Sequence, residues 1–225
     1  MGIATLVLGK SGSGKSTSLR NFKKDEVALI NVLDKPMPFD HGFDSTLPNG
    51  QCKTLDYATI MKAISSTSKK VIVIDDAGYL ITKQFMNGHS TTGAGNAIFS
   101  FYNDIADGFW SLVQFITNND RVAKDKTVYL MMHEDLNDAG DVKPKTIGKL
   151  LDEKVCVEGM FSMVLRAMCE DGRYVFKTKT DGHDVTKTPI GMFDGEEIDN
   201  DLKAVDERIR EFYHLNKTKS DNKEK

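Results

Sequence analysis

Runs of apolar residues alternate along the chain with segments in which apolar residues recur at helical spacing. Four runs are almost continuously apolar or β-branched, as strands covered on both faces should be, and they lie at Ile3–Leu8, Val27–Val32, Val71–Asp75 and Thr127–Met132. Helical segments are predicted between them at Ser16–Phe22, Tyr57–Ser65 and Ala97–Thr117. This alternation predicts a parallel sheet flanked by helices.

The segment Ala97–Thr117 has the clearest helical pattern in the chain. Its apolar residues recur every three or four positions, at Phe101, Ile105, Phe109, Leu112 and Ile116. A stripe of this kind covers a core far more often than it lines a ligand pocket. We therefore expect these side chains, and the only tryptophan, Trp110, in the core.

The pattern changes after the fourth strand. Phe161–Cys169 and Arg173–Lys179 are predicted to be antiparallel strands that extend the sheet at one edge, because the Asp-Gly pair between them suits a tight hairpin turn. A closing helix is expected at Leu202–Tyr213. We predict one RecA-like α/β domain of P-loop NTPase type over residues 1–215, and a disordered charged tail over residues 216–225.

Composition narrows the range of functions. With 30 basic and 33 acidic residues among 225, the net charge of −3 argues against a surface covered in basic charge for nucleic acid. No apolar run approaches the roughly 20 residues that a membrane span needs, so no membrane partner is expected. Cys52, Cys156 and Cys169 are odd in number and lack metal-ligand spacing, which predicts reduced thiols in the core of a cytoplasmic protein.

The stretch GKSGSGKST follows the first strand and matches the phosphate-loop (Walker A) pattern G-x-x-x-x-G-K-[ST]. Glycines allow successive backbone N–H groups to face an anion, and the start of the following helix adds partial positive charge. We expect Lys15 to reach the β- and γ-phosphates of ATP, Ser16 to ligate Mg²⁺, and Thr17 to reach the α-phosphate. The predicted nucleotide-binding residues are Gly9, Ser11, Gly12, Ser13, Gly14, Lys15, Ser16 and Thr17.

Acidic residues follow two of the buried strands. Asp75 ends the third strand and is predicted to hold Mg²⁺ in the Walker B role. Asp76 stands where many ATPases carry the glutamate that orients the attacking water, and Asp34, after the second strand, competes for this role. His133 ends the fourth strand, where ligands of parallel sheets bind, and is expected to sense the γ-phosphate.

Other phosphate-loop classes fit less well. The sequence from Asp75 to Gly78 spells the DxxG of GTPases, yet the fourth strand ends in His-Glu-Asp instead of the Asn-Lys-x-Asp that reads guanine. A small-molecule kinase stays open as an alternative, although the chain has no paired-arginine lid. A nucleotide-gated binding module with negligible turnover is a second alternative.

The segments GKSGSGKST, VIVIDDAG and VYLMMHED, followed by the hairpin and by Thr186–Phe193, resemble the phage and prophage P-loop nucleotide-binding proteins. These have a RecA-like core, and some are single-strand annealing recombinases. The resemblance covers residues 2–213. It implies an ATPase that assembles as a ring or filament on single-stranded DNA in recombination or replication, with the nucleotide near a subunit interface.

The resemblance also implies roles for basic residues. Lys187 would be supplied by a neighbouring subunit to neutralise charge on the transferring phosphate. A flexible basic loop after the fourth strand would contact DNA through Lys143, Lys145, Lys149 and Lys154. The RecA pattern has a glutamate after the second strand where this chain has Asp34, so hydrolysis is expected to be slow.

Overall fold

The strands and helices of this chain are given by a computed structural model that describes residues 2–40, 42–43, 56–118 and 121–215. The strands within these ranges are β1 Ile3–Gly9, β2 Val27–Asn31, β3 Val71–Asp75, β4 Thr127–Leu136, β5 Val142–Pro144, β6 Met163–Glu170, β7 Arg173–Lys177 and β8 Glu197–Asp199. The α-helices are α1 Tyr57–Ser66, α2 Gly78–Gly88, α3 Asn96–Thr117 and α4 Leu202–Phe212. Short 3₁₀ helices lie at Ser16–Leu19 and Glu158–Met160, and a π-helical turn lies at Leu150–Lys154.

The strands form one sheet in the order β2-β3-β4-β1-β6-β7-β8, and β5 pairs with β4. The first five strands in this order are parallel to one another, whereas β7 and β8 are antiparallel additions at one edge. The carboxyl ends of β1, β3 and β4 therefore meet at the same edge of the sheet. The predicted mainly parallel sheet with an antiparallel hairpin at its edge is confirmed.

Alternate residues of the central strand pack on opposite faces of the sheet. Leu6 and Leu8 of β1 join the apolar core formed with α1, α2 and α3, whereas Val7 packs into a second core with α4 and the 3₁₀ helix. The side-chain period of two along a strand causes this division. Both faces of the sheet are thus covered, which explains why the first three strands are continuously apolar.

The hairpin between β6 and β7 turns at the predicted dipeptide. Asp171 and Gly172 have φ values of 50° and 79°, which a tight turn between twisted antiparallel strands requires.

The segment after β7 forms an ion pair with the last residue of that strand, in which Lys177 Nζ lies 2.8 Å from Asp181 Oδ2. The hydrogen bond from Lys177 lowers the pKa of Asp181 to about 2.

A buried ion pair fixes α4 against the sheet. Arg210 Nε donates to Asp206 Oδ2 at 2.6 Å, and the other carboxylate oxygen accepts from Thr127 Oγ1 at 2.6 Å and from Tyr129 Oη at 2.8 Å. Arg210 also donates to the backbone oxygen of Lys70 at 3.0 Å. Because every oxygen of the carboxylate is bonded, this charge is tolerated between helix and sheet.

Three expectations on local structure are wrong. The predicted helix over Ser16–Phe22 is a 3₁₀ helix of only four residues, Ser16–Leu19. Its buried Leu19 lies three positions before the buried Phe22, which suits the three residues per turn of a 3₁₀ helix, and the chain enters β2 soon afterwards. Trp110 is 42% exposed, since it lies about 100° around α3 from the buried Phe109. Cys156 and Cys169 are free thiols but exposed ones, because Cys156 follows the π-helical turn and Cys169 lies near the exposed end of β6.

Some expectations fall on residues that the structure does not describe. They concern Cys52 and the charged tail over residues 216–225. Among the described residues, no helix combines the length and the apolarity needed to cross a bilayer.

Candidate functional site

The glycine-rich stretch forms a loop between the end of β1 and the short 3₁₀ helix. Gly12 and Gly14 have φ values of 79° and 91°, which residues other than glycine rarely adopt. A Cβ on Gly9 would lie 2.6 Å from the backbone oxygen of Ala167 on β6, so the loop begins pressed against the neighbouring strand. The four-residue helix that follows is shorter than expected, so the loop's own N–H groups must supply most of the attraction for an anion.

Lys15 lies inside this loop. Its ammonium donates to the backbone oxygens of Gly9 at 2.7 Å and of Lys10 at 2.8 Å. Burial lowers the pKa of Lys15, and the carboxylates of Asp76 and Asp75 act in the opposite direction. The charge is therefore held in the centre of the loop, bonded to carbonyl groups that a phosphate could replace.

Ser16, at the start of the 3₁₀ helix, and Asp75, at the end of β3, come together. The Ser16 hydroxyl donates to Asp75 Oδ2 at 2.7 Å, and the carboxylate is buried at the end of β3. Burial raises the pKa of Asp75, because the ionised carboxylate is unstable away from water unless a positive group pairs with it. No cluster of three or more metal-ligating side chains exists in the described part of the chain. One hydroxyl and one carboxylate fit Mg²⁺, which keeps several waters and takes its other ligands from phosphates.

Asp76 adjoins this pair, where Lys35 forms an ion pair with it and His133 lies nearby. Lys35, from the turn after β2, places Nζ 2.5 Å from Asp76 Oδ2, and His133 Nδ1 lies 3.8 Å from Oδ1. Asp76 is buried and has a φ of 58°. Burial alone would lower the pKa of Lys35. The hydrogen bond and the attraction to Asp76 outweigh it, so the pKa of Lys35 is raised.

One comparison with known proteins bears on this site. A family model described as an AAA domain matches residues 1–190, a range that includes the loop, β3 and β4. The chain belongs to this AAA domain family. It is therefore a member of a P-loop ATPase family, and the predicted α/β P-loop NTPase fold is confirmed. No curated protein matches the chain.

Strand order brings His133 to the loop of this AAA domain. Because β4 lies between β1 and β3, His133 pairs in register with Gly9, the first residue of the loop. Burial and the nearby Lys15 lower the pKa of His133, although Asp76 opposes them, which favours the neutral imidazole. Its ring meets that of Tyr79 edge-on, with centroids 5.7 Å apart.

A cavity of about 470 Å³ opens beside the loop of the AAA domain. His133 and Tyr79 line it together with Lys145, whose backbone N–H donates to the His133 carbonyl at 2.9 Å. The cavity is thus in direct contact with the predicted γ-phosphate sensor and with the segment after β4. A reacting water and the end of a triphosphate could both enter here.

The sequence analysis missed a bidentate ion pair above the end of β1. Arg166 of β6 donates from Nε and Nη2 to the two carboxylate oxygens of Glu134, each at 2.9 Å. The pair joins the two strands that flank β1 and lines a second cavity, of about 280 Å³, on the β6 side of the loop. Lys35 was missed too. No motif carries these contacts, which depend on strand order.

Two predicted site residues lie apart from the others. Asp34 is exposed, and among the described residues its carboxylate has no ion pair. Lys187 is half-buried, and its backbone bridges to Val164 of β6. The structure therefore groups Lys15, Ser16, Asp75, Asp76 and His133, and leaves the role of Lys187 in a neighbouring subunit as a prediction.

The basic segment after β4 contains regular secondary structure where an irregular loop was expected. It contains β5 and the π-helical turn, because β5 pairs with the end of β4. Lys143 donates to Asp152 at 2.6 Å, and Lys145 lies 3.8 Å from Asp135. Lys149 and Lys154 are exposed. Acidic partners thus occupy half of the predicted lysines.

Proposed function

We propose that the protein is a Mg²⁺-dependent ATPase whose nucleotide state controls its assembly on single-stranded DNA. The observation that carries the ATPase part is the convergence of the Ser16 hydroxyl and the buried Asp75 carboxylate next to the buried ammonium of Lys15. These residues come from the loop and from β3, and they supply the charges that a metal-bound triphosphate needs.

Binding of a triphosphate would exchange partners within the loop. The Lys15 ammonium would leave the carbonyls of Gly9 and Lys10 and donate to phosphate oxygens. Ser13 supports an anion site here, since its hydroxyl oxygen is buried without a hydrogen-bond partner among the described residues. Ser16 and Asp75 would hold Mg²⁺, which neutralises phosphate charge when it is bound.

Asp76 is the acid that the geometry favours for positioning water. It is buried at the end of β3 and within reach of His133, which lines the 470 Å³ cavity, whereas Asp34 is exposed in a turn. We expect Asp76→Asn to lower turnover by about 100-fold or more, the usual loss when a positioned general base is removed. The matched variant Asp34→Asn should leave turnover within twofold. The reverse ranking would transfer the role to Asp34.

One observation favours the alternative of a nucleotide-gated module with negligible turnover. The Lys35 ammonium is 2.5 Å from Asp76 and occupies the carboxylate that would orient water. Phosphate release distinguishes the two functions. The ATPase requires release that EDTA abolishes, whereas the module binds Mg·ATP without release. Phosphate transfer to an added metabolite would instead identify a kinase.

The DNA part of the proposal rests on a surface beside the cavity. Phe99 is 68% exposed, and Tyr102 lies one turn further on the same face of α3. Tyr102 packs on Gly148, next to the exposed Lys149. Aromatic rings with neighbouring lysines are the usual means of holding single strands. Lys145 links this surface to the backbone of His133.

Fluorescence anisotropy of a labelled oligonucleotide tests the DNA part. With Mg·ATP, wild-type protein should bind single-stranded DNA, with an affinity that falls as salt rises. Phe99→Ala should weaken binding about tenfold, the cost of losing one stacked base. Lys124→Ala is the matched control, because Lys124 is exposed before β4, at the opposite edge of the sheet. Equal affinity with and without ATP would contradict coupling.

A further inference from the structure

Asn200, between β8 and α4, is a buried amide without partners. Only 1% of the residue is exposed, and neither its side-chain oxygen nor its nitrogen has a hydrogen-bond partner among the described residues. Leaving such a group unpaired costs roughly 1–3 kcal/mol. A buried amide without a protein partner is a candidate for pairing with a bound ligand.

The amide lies against the phosphate loop. A Cβ placed on Gly14 would be 3.1 Å from the side-chain oxygen of Asn200 and 3.2 Å from its nitrogen. The same Cβ would be 2.8 Å from the ring of Tyr174 on β7. Tyr174 is 46% exposed, so its ring forms the outer layer over the loop and the amide.

This cluster lies on the opposite side of the loop from the metal end. In the sheet order, β4 and β3 lie on one side of β1 and carry His133 and Asp75, whereas β6, β7 and β8 lie on the other. A triphosphate with its metal at Asp75 therefore directs its nucleoside towards β6 and β7. Arg20, after the 3₁₀ helix, fixes the position by donating to the backbone oxygen of Asn200 at 2.5 Å.

We propose that Tyr174 and Asn200 form the nucleobase subsite, and that Asn200 selects adenine. The inference rests on the proposed function, because it assumes that the triphosphate occupies the loop. The ring of Tyr174 turns outward from Gly14 and stacks on the base, and the base edge then meets the Asn200 amide. The loop binds phosphates, which all nucleotides share, so selectivity for the base depends on Tyr174 and Asn200.

Hydrogen-bond chemistry gives the selectivity its direction. A side-chain amide offers donors on its nitrogen and acceptor sites on its oxygen. Adenine presents the complementary pair side by side, an N6–H donor and an N7 acceptor, and asparagine pairs with both. The corresponding edge of guanine presents two acceptors, N7 and O6. One of them would face the amide oxygen, so GTP should bind more weakly than ATP.

Titration calorimetry with Mg·ATP and Mg·tripolyphosphate tests the stacking role. Tyr174→Ala should weaken ATP binding about tenfold, the usual cost of removing one base–aromatic stack. Tripolyphosphate lacks a base, and its affinity should change less than twofold. Tyr174→Phe retains the ring and should bind both ligands like the wild type. Equal losses for both ligands in Tyr174→Ala, or no loss for either, would overturn the stacking role.

ATP and GTP affinities test the selection by Asn200. Wild-type protein and Tyr174→Ala should both prefer ATP, whereas Asn200→Ala should bind the two nucleotides with nearly equal affinity. If Asn200→Ala does not fold, the ratio of the wild-type affinities for ATP and GTP decides alone. Equal affinities for the two nucleotides would overturn the selection of adenine. Tripolyphosphate separates the two proposals. A wild type that binds neither ATP nor tripolyphosphate refutes the proposed function, whereas equal affinities for both refute only the subsite.

Discussion

Replacing Lys15 by alanine removes the one lysine that is buried inside the phosphate loop. In the structure its ammonium makes hydrogen bonds of 2.7 and 2.8 Å to the carbonyls of Gly9 and Lys10. We expect phosphate oxygens to take over these donors when nucleotide binds. Hydrogen bonds to charged groups contribute about 1.5–3 kcal/mol each. At 1.4 kcal/mol per factor of ten, loss of one such net contribution weakens ATP binding by roughly 10- to 150-fold.

Calorimetric titration with Mg·ATP measures this loss directly. Lys10→Ala is the matched control, because Lys10 belongs to the same loop and carries the same charge but is exposed. An exposed charge interacts weakly through water, so the control should change affinity less than about threefold. Thermal melting of both variants checks that they are folded. A Lys15→Ala protein that binds Mg·ATP like the wild type, or equal losses in both variants, would refute the assignment of the loop.

Three further predictions concern stability and the loop. Asp206→Ala leaves the buried guanidinium of Arg210 without its ion-pair partner. Urea titrations should show the free energy of unfolding lowered by about 3–5 kcal/mol. A loss below about 1 kcal/mol would contradict the role of the Asp206–Arg210 pair. Because the pKa of Asp181 is lowered from 3.8 to about 2, its stabilising effect is present above pH 3.8 and is lost as pH falls through 2. The melting temperature of the wild type should therefore exceed that of Asp181→Asn near pH 6, with the difference vanishing near pH 2; a constant difference would exclude the linkage. Gly14→Ala should weaken ATP binding in calorimetry more than Gly12→Ala does, because its Cβ would lie 3.1 Å from the side-chain oxygen of the buried Asn200. Gly12→Ala meets no neighbouring atom within 4 Å and should cost only about 1–2 kcal/mol of backbone strain. Equal effects of the two changes would argue against close packing at Gly14.

The elements that the sequence predicted well are those with strong local causes. β3 was predicted with its observed bounds, because a strand buried on both faces must be apolar throughout. The turn at Asp171-Gly172 follows from the backbone angles that a hairpin needs. By contrast, α2 was missed, since only Leu80 and Ile81 in it are buried and it has glycine at both ends. β8 has three residues, too few to form a pattern.

The site was predictable only as far as it is encoded in short motifs. Lys15 and Asp75 were found because a glycine-rich loop and an acid after a buried strand are recognisable locally. Lys35 reaches Asp76 only because β2 lies beside β3, and the contact between Asn200 and Gly14 joins residues at opposite ends of the chain. Contacts of this kind depend on strand order, which a single sequence does not specify.

A crystal structure with Mg²⁺ and a non-hydrolysable ATP analogue tests the central claim most directly. We predict that the Lys15 ammonium moves from the carbonyls of Gly9 and Lys10 to phosphate oxygens, and that the Ser16 hydroxyl and Asp75 carboxylate face the metal. A loop that keeps Lys15 bonded to its own carbonyls at saturating nucleotide, with the analogue bound elsewhere, would contradict the account.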